Sequence, residues 1–295
     1  MFNEHREMMH EVYTHARNYF IQNPQELIAL EEYLANKTVN IIRQNLEEFV
    51  SDYNEASFLN PFWASYPPED RGRKPRGDQV PWIEVGEHSI GHKLTRLMNS
   101  EYTIREIGLP SGSDDRFLLK SNDFESLNKL TNSVMLFSDV KSVGPRDDAE
   151  HIVLSPYQIS GDGIWNTPSE NMYNNKMQAI GKKSAHEVWP AIPPLYILQN
   201  GTIAPVIHIY LKPVYNMLSL ESSKHGQPLK KIRVITVPNG LLLTQNPNYL
   251  STYPSLFYPG KDDKSKAPRK VRCRVSFDLL RSLHTWRVQD IEVEI

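Results

Sequence analysis

Cysteine is almost absent from this sequence, whose 295 residues include a single one, Cys273. A disulfide within the chain and a zinc site built from several cysteines are therefore excluded. The sequence also lacks any apolar run approaching the roughly 20 residues that a membrane-spanning helix requires. Its first residues, Met1 to Glu7, do not have the apolar core of a secretory signal peptide. We therefore expect a soluble protein that works in the reducing cytoplasm.

Several familiar catalytic motifs are missing as well. The sequence contains no Gly-x-Ser-x-Gly, which forms the nucleophile turn of the α/β-hydrolases. It contains no phosphate-binding Walker loop, no Gly-x-Gly-x-x-Gly dinucleotide motif and no His-Glu-x-x-His zinc motif. The sequence therefore gives no support to a serine hydrolase, a nucleotide-binding enzyme or a zinc protease of these kinds.

A large excess of charge of either sign is also lacking. The formal net charge is −2, and 39% hydrophobic with 23% charged residues is ordinary for a globular protein. A chain of this length can bury a substantial core, in one large domain or in a domain with a subdomain. Because the whole molecule is not basic, any surface that binds nucleic acid must be local.

Hydrophobic periodicity and turn residues divide the chain into helices and strands. The predicted helices cover residues 2–22, 25–50 and 81–99, and a proline-rich loop covers 60–81. The predicted strands cover residues 102–107, 117–119, 134–142, 152–154, 195–198, 203–211, 232–237, 241–243 and 271–277. Asn200-Gly201 and Asn239-Gly240 each separate two apolar runs, and both therefore predict a β-hairpin.

One predicted strand ends in charged residues. Apolar residues run from Val134 to Phe137, and Asp139 and Lys141 follow. Residues two apart on a strand point to the same face, so this carboxylate and this ammonium group would lie side by side. A buried charge is costly unless it is paired or holds a metal. The pattern indicates either a metal site with a catalytic lysine or an ordinary Asp-x-Lys pair, like the one in the polar segment 262–264.

A second carboxylate, that of Asp114, comes shortly before the predicted strand Phe117–Leu119. If this strand lies next to the strand that reaches Asp139, the charged groups of Asp114, Asp139 and Lys141 come together. Two carboxylates suit Mg²⁺, which prefers oxygen ligands and keeps room for water and substrate phosphate. The metal would polarise a phosphodiester, and Lys141 would orient water or offset developing charge. The alternative is that Asp114 is only a turn or cap residue.

Glu87 is a further candidate for this metal site. It lies seven residues before Leu94 in the predicted helix 81–99, which puts it near the apolar face of that helix. From there it can reach a metal directly or through a water molecule. The alternative is an ordinary residue of the helix surface.

Two basic segments offer a surface for nucleic acid. The one in the proline-rich loop is either solvated or in contact with phosphates. The other covers residues 261–287, where Arg and Lys can donate to guanine and Asp can accept from cytosine. The alternative for this second segment is a solvated pair of strands. The candidates are Arg71, Arg73, Lys74 and Arg76 in the loop, and Lys261, Asp263, Arg272 and Arg274 in the second segment.

The sequence resembles the type II restriction endonucleases of the PD-(D/E)xK superfamily over nearly its whole length. The similarity is densest in Pro81–Glu87, Arg105–Pro110, Asp139–Asp147, Ile192–Leu198, Gly201–Val206 and Pro259–Asp263. Two features depart from the superfamily signature or complicate it. Ser113 stands where the signature has proline, and Asp115 directly follows Asp114, so the choice of metal ligand rests on alignment.

The resemblance implies an α/β fold in which helices flank a mixed central β-sheet and additional β-hairpins recognise DNA. It implies a single domain over residues 1–295. Within it, residues 1–80 would form a helical and loop part, 81–145 the catalytic core, and 146–295 the remaining sheet and the recognition region. The implied activity is Mg²⁺-dependent hydrolysis of phosphodiester bonds in duplex DNA by a homodimer.

The resemblance also implies roles for individual residues. Asp114, Asp139 and Lys141 would be catalytic, and the Val140 carbonyl would join the two aspartates as a metal ligand. The family's base-reading residues correspond to Lys261, Asp263, Arg272 and Arg274, at an interrupted palindrome with GCC and GGC half-sites. A cognate DNA methyltransferase belongs to such a system without being a physical partner. The alternatives are a DNA-binding protein that keeps the fold without cleavage, and a nuclease that recognises DNA structure.

Overall fold

A computed structural model describes residues 2–63, 85–107, 115–141, 150–215, 228–260 and 267–293. Its α-helices are α1 (Phe2–Gln22), α2 (Pro24–Gln44), α3 (Leu46–Trp63), α4 (His92–Met98), α5 (Asp123–Leu127), α6 (Gly240–Thr244), α7 (Tyr249–Thr252) and α8 (Phe277–Leu283). A π-helical segment, Glu87–Gly91, leads into α4, and 3₁₀ turns cover Pro156–Gln158, Pro268–Lys270 and Thr285–Arg287. The strands are β1 (Thr103–Glu106), β2 (Asp115–Lys120), β3 (Ser133–Val140), β4 (His151–Leu154), β5 (Met177–Ile180), β6 (Ala185–Val188), β7 (Leu195–Ile197), β8 (Ile203–Tyr215), β9 (Leu229–Val237), β10 (Phe257–Tyr258), β11 (Cys273–Ser276) and β12 (Val288–Glu292).

Seven strands form one mixed sheet. Their order is β1-β2-β3-β8-β9-β12, and β7 pairs with β8 off this path. The central strands β3 and β8 run parallel, whereas the other pairs of the sheet are antiparallel. The predicted α/β fold with a mixed central sheet is therefore observed. Every residue of β3 is buried, as expected of a strand covered on both faces.

The long helix α2 covers the sheet with one apolar face. Its buried residues Leu27, Leu30, Leu34 and Ile41 recur at helical spacing, and the helix packs against β8 and β9. Burying one such side chain contributes about 1.5–3 kcal/mol. Across the described ranges, no helix combines the length and the apolar character that crossing a membrane requires.

The prediction of one helix over residues 25–50 is wrong, because the chain turns at Asn45. The Asn45 side-chain amide donates to the Ile41 carbonyl at 2.8 Å, and the Asn45 backbone N–H donates to the Ile42 carbonyl at 3.2 Å. In a continuing helix, the backbone N–H of Asn45 would take the Ile41 carbonyl instead. The side chain thus replaces a helical hydrogen bond, and α3 begins at Leu46.

The two Asn-Gly dipeptides have different structures. The hairpin predicted at Asn200-Gly201 is confirmed by the antiparallel pairing of β7 and β8, and Gly201 has φ 80°, in the left-handed region that glycine favours. The hairpin predicted at Asn239-Gly240 is wrong. There the Asn239 side chain accepts the Leu241 N–H at 2.9 Å, which caps helix α6 where a second strand was expected.

Two smaller sheets accompany the main one. β10, β11 and β4 form an antiparallel sheet of three strands, and β5 pairs with β6 in a hairpin that the sequence did not predict. The strand predicted over residues 271–277 is observed as β11. It ends where the Ser276 hydroxyl accepts the Leu279 N–H at 3.4 Å and caps α8.

Candidate active site at the end of β3

Asp139 and Lys141 lie together where β3 ends. Asp139 is buried, with 2% of its surface exposed. The Lys141 Nζ lies 2.5 Å from Asp139 Oδ2, and the lysine side chain keeps 21% exposure. This is a charge-assisted hydrogen bond between a buried carboxylate and an ammonium group that reaches solvent. The predicted arrangement of the two side chains on one face is therefore observed.

Aromatic rings from β8 line the same face. Tyr210 is the register partner of Asp139, and His208 is the partner of Phe137. The Lys141 Nζ lies 5.9 Å from the Tyr210 ring centroid, within cation–π range. His208 stacks on Tyr210, and burial lowers the pKa of His208 to about 3. His208 is therefore a neutral aromatic residue near neutral pH, and not a proton carrier.

Gln158 also reaches this site, which the sequence analysis missed. It ends the 3₁₀ turn that follows β4, and its Nε2 donates to Asp139 Oδ2. Its Oε1 accepts the Ser155 N–H at 3.1 Å, and its backbone carbonyl accepts the Tyr210 hydroxyl. Ser-Pro-x-Gln is typical of a capped helical turn. That signal could have located the turn, but not the contact with Asp139.

Asp115 lies on the other face of the sheet. It is the register partner of Ser138, and directly opposed residues of antiparallel strands share a face. Because side chains alternate along β3, Ser138 and Val140 point away from the face of Asp139. A Cβ atom added to Gly91 would lie 3.0 Å from Val140 Cγ2 and 3.7 Å from Asp115 Oδ2. Asp115 therefore lies beside the π-helical segment and not beside Asp139.

Comparison with known proteins identifies the family. The sequence profile described as restriction endonuclease BglI matches residues 8–291. The chain belongs to the BglI restriction endonuclease family. The type II restriction enzyme BglI of Bacillus subtilis is 48% identical to it over 299 residues, and the match covers all of both chains. The predicted membership of the type II restriction endonucleases is confirmed.

Two solved structures resemble this chain of the BglI family. The crystal structure of restriction endonuclease BglI bound to its DNA recognition sequence matches with a TM-score of 0.90 and 47% identity, over 99% of each chain. The tetrameric restriction endonuclease SfiI, bound to cognate DNA, matches with a TM-score of 0.54 and 17% identity, over 89% of this chain and 84% of that one. The SfiI match shows a shared fold alone. The predicted restriction-endonuclease-like fold is confirmed.

Two of the predicted base-reading residues of this BglI-family chain lie on or beside β11. Arg272 is exposed, Cys273 is buried and Arg274 is half-buried, so both arginines lie on the side away from the core. The Arg274 Nη1 lies 3.1 Å from His151 Nε2. A guanidinium group only donates, so this histidine nitrogen is the acceptor. Arg274 is thus held against β4, the strand that leads to Gln158.

The other predicted site residues fall outside the described residues. They are Asp114, Arg71, Arg73, Lys74, Arg76, Lys261 and Asp263. The backbone of Glu87 begins the π-helical segment, but its side chain is not among those described. Among the side chains that are described, no group of three or more His, Cys, Asp or Glu could hold a metal ion. Asp139 and Val140 are the described members of the predicted metal set.

Proposed function

We propose that this protein is a type II restriction endonuclease that hydrolyses phosphodiester bonds of duplex DNA. It would use Mg²⁺ and act as a homodimer at a G·C-rich interrupted palindrome. The observation that carries the proposal is the pair of Asp139 and Lys141 at the end of a central strand, in a chain of the BglI family. A type II restriction enzyme that covers the whole chain at 48% identity supports it.

We assign metal binding to the carboxylates of Asp114 and Asp139 and to the Val140 carbonyl. Oxygen atoms of these kinds are the ligands that Mg²⁺ prefers. The Lys141 N–H donates to the Leu211 carbonyl on β8 at 2.7 Å. Because the backbone groups of successive strand residues alternate in direction, the Val140 carbonyl is directed toward the β2 side. Mg²⁺ bound there would supply a Lewis acid that polarises the scissile phosphate.

The position of Asp115 supports Asp114 as the second carboxylate. Asp115 shares the face of Ser138, opposite to that of Asp139. Asp115 is therefore poorly placed to share a metal ion with Asp139, which leaves Asp114 as the proposed second carboxylate. Glu87 stays a proposed candidate for a direct or water-mediated contact with metal. The π-helical segment that it begins packs against β3, on the side of Val140, whose carbonyl is a proposed ligand.

Of the two side chains, Lys141 would be the one that contacts the substrate. Its ammonium group contacts Asp139 and is partly exposed at the same time. In the proposed reaction it orients the attacking water, or offsets the negative charge that develops on the phosphate oxygens. Water would attack the phosphorus directly, without a covalent intermediate on the protein.

We propose that the C-terminal basic segment reads the bases, consistent with GCC and GGC half-sites. Its side chains supply donors for guanine and an acceptor for cytosine, and a two-fold dimer would present them twice to a palindrome. The basic loop would contact phosphates. The residues involved are Lys261, Asp263, Arg272 and Arg274 for bases, and Arg71, Arg73, Lys74 and Arg76 for phosphates. Such a protein would act on DNA in the cytoplasm, alongside a cognate methyltransferase.

Digestion of a sequenced plasmid tests the proposal. With Mg²⁺ we expect discrete fragments whose ends share one G·C-rich pattern, and with EDTA we expect intact plasmid. Sequence-specific binding without any Mg²⁺-dependent fragments would favour a DNA-binding protein that keeps the nuclease fold. Cleavage confined to branched or distorted DNA would favour a structure-specific nuclease.

A further inference from the structure

Hydrogen bonds fix the side-chain amide of Gln158 at both ends. Its Oε1 accepts the backbone N–H of Ser155 at 3.1 Å. Only the amide oxygen can accept from that donor, so the amide nitrogen must point the other way. It points to Asp139 Oδ2, to which it donates. The orientation of this amide therefore follows from its two partners.

The backbone of Gln158 is anchored as well. Its N–H donates to the Ser155 carbonyl at 2.9 Å and closes the 3₁₀ turn. Its carbonyl accepts the hydroxyl of Tyr210, which is the register partner of Asp139 on β8. The amide donor, its backbone anchor and the carboxylate are thus all tied to the two central strands.

A neutral donor suits this position beside Asp139. The ammonium group of Lys141 already lies 2.5 Å from the same carboxylate oxygen. A cation in place of the Gln158 amide would oppose the binding of a divalent metal, and a carboxylate in its place would repel the oxygen of Asp139 to which the amide now donates. The amide of Gln158 restrains the carboxylate and leaves the net charge of the site unchanged. This is the usual role of groups that hydrogen-bond to metal ligands.

We propose that Gln158 is a positioning residue for the metal-binding carboxylate of Asp139, and that Tyr210 holds Gln158 in place. The inference rests on the proposed function, because it takes Asp139 to be a metal ligand. Gln158 acts through Asp139 and not on the substrate. Removing the Gln158 amide should therefore lower the affinity for metal and leave the affinity for DNA nearly unchanged.

Gln158→Met keeps the length of the side chain and removes both of its hydrogen-bonding groups. Two measurements use a duplex that the wild type cuts. The first is the single-turnover cleavage rate as a function of Mg²⁺ concentration, and the second is calorimetric titration of the uncleaved protein–DNA complex with Ca²⁺. We expect half-maximal cleavage at about tenfold more Mg²⁺ or beyond, and a similar loss of Ca²⁺ affinity. DNA binding in EDTA should stay within about twofold of the wild type, since no DNA contact is removed.

Gln289→Met is the matched control. The Gln289 Nε2 donates to Asn36 Oδ1 at 3.0 Å and to the Trp286 carbonyl at 3.1 Å, on β12 at the edge of the sheet. Its metal dependence should equal that of the wild type. Tyr210→Phe is a second test variant, because it removes the anchor of Gln158 and keeps the amide. It should shift the Mg²⁺ and Ca²⁺ dependence in the same direction by a smaller factor.

Wild-type Mg²⁺ and Ca²⁺ dependence in folded Gln158→Met would overturn the inference. If circular dichroism shows that Gln158→Met is unfolded, Tyr210→Phe decides in the same way. Asp139→Asn separates the two levels of the argument. If it abolishes Ca²⁺ binding while Gln158→Met does not weaken it, only the positioning role fails. If Asp139→Asn binds Ca²⁺ like the wild type, the proposed metal binding by Asp139 fails as well.

Discussion

His208 lies against the rings of Phe137 and Tyr210, and no described residue hydrogen-bonds to either of its ring nitrogens. Burial lowers the pKa of His208 from the ordinary 6.5 to about 3. In the unfolded chain this imidazole binds a proton below about pH 6.5, so in acid the unfolded state takes up more protons than the folded state. The contribution that the neutral His208 makes to the free energy of unfolding is therefore fully present above pH 6.5. It is lost as the pH falls from 6.5 toward 3.

This linkage predicts a pH-dependent stability. We expect His208 to lower the free energy of unfolding by about 2 kcal/mol between pH 7 and pH 5, at about 1.4 kcal/mol per pH unit below 6.5. His208→Phe should remove that part of the pH dependence in urea unfolding curves. His5→Phe, at an exposed position of α1, controls for the loss of an imidazole. Equal pH dependence in the wild type and His208→Phe would contradict the burial of a neutral His208.

Arg274 and Lys74 offer a test that separates base reading from phosphate contact. Arg274→Ala should lose discrimination at one base position, worth about 1–3 kcal/mol. Lys74→Ala should instead weaken binding to cognate and random DNA alike. Fluorescence anisotropy with cognate, singly substituted and random duplexes measures both effects. Equal losses on cognate and random DNA from Arg274→Ala would remove it from the base-reading set.

Sequence reasoning reached only part of the candidate site. Asp139 and Lys141 could be predicted to meet because they are two apart on a strand, and strand geometry alone brings them together. Gln158 is 19 residues beyond Asp139, and no spacing rule connects a capped turn to a particular carboxylate. Its contact depends on how the 3₁₀ turn Pro156–Gln158 lies against β3 and β8. That is a tertiary arrangement, and local patterns do not encode it.

The same limit applies to the Asn-Gly dipeptides. Both stand between apolar runs, but the runs around Gly240 belong to a strand and to a helix whose first four residues are buried. Three consecutive leucines, Leu241–Leu243, show neither helical nor strand periodicity. The backbone N–H of Gly240 donates to Ser160 Oγ at 2.9 Å. A Cβ at Gly240 would overlap the Gly161 carbonyl, so this glycine is required by close packing and not by a turn.

Two alanine substitutions distinguish these two uses of glycine. Gly240→Ala should lower the free energy of unfolding by about 3 kcal/mol or more, because backbone atoms would have to move. Gly201→Ala should cost only about 1–2 kcal/mol, the strain of a left-handed residue, since nothing lies within 4 Å of its added Cβ. Denaturant midpoints measure both costs. A smaller loss for Gly240→Ala than for Gly201→Ala would contradict the packing at α6.

Contacts between distant parts of the chain support the proposal of one domain over residues 1–295. The main sheet takes strands from both sides of the boundary predicted at residue 145, since β3 and β8 pair directly. A buried ion pair also joins α2 to the turn before β12. Glu31 and Arg287 are both 0% exposed, with Oε2 and Nη2 2.7 Å apart. Removing one partner of such a pair leaves an uncompensated buried charge, so the two ends of the chain depend on each other.

The proposed homodimer can be tested on the whole molecule. A palindromic site is matched by two copies related by a two-fold axis. Sedimentation equilibrium should therefore give a mass about twice the 34.1 kDa of one chain. Mixtures of untagged and tagged chains should form a mixed dimer of intermediate mass. A single-chain mass, both alone and on a cleavable duplex, would contradict the dimer.

If Asp139 holds the metal for DNA cleavage, as proposed, removing its negative charge should abolish cleavage. Asp139→Asn keeps the shape of the side chain and removes its charge, and Asp278→Asn on α8, with a side chain 80% exposed, is the control. Cleavage of a linear duplex in Mg²⁺ is followed together with binding to the same duplex in EDTA. We predict that Asp139→Asn binds the duplex and no longer cuts it, whereas Asp278→Asn does both. Cleavage by Asp139→Asn at the wild-type rate would contradict the account.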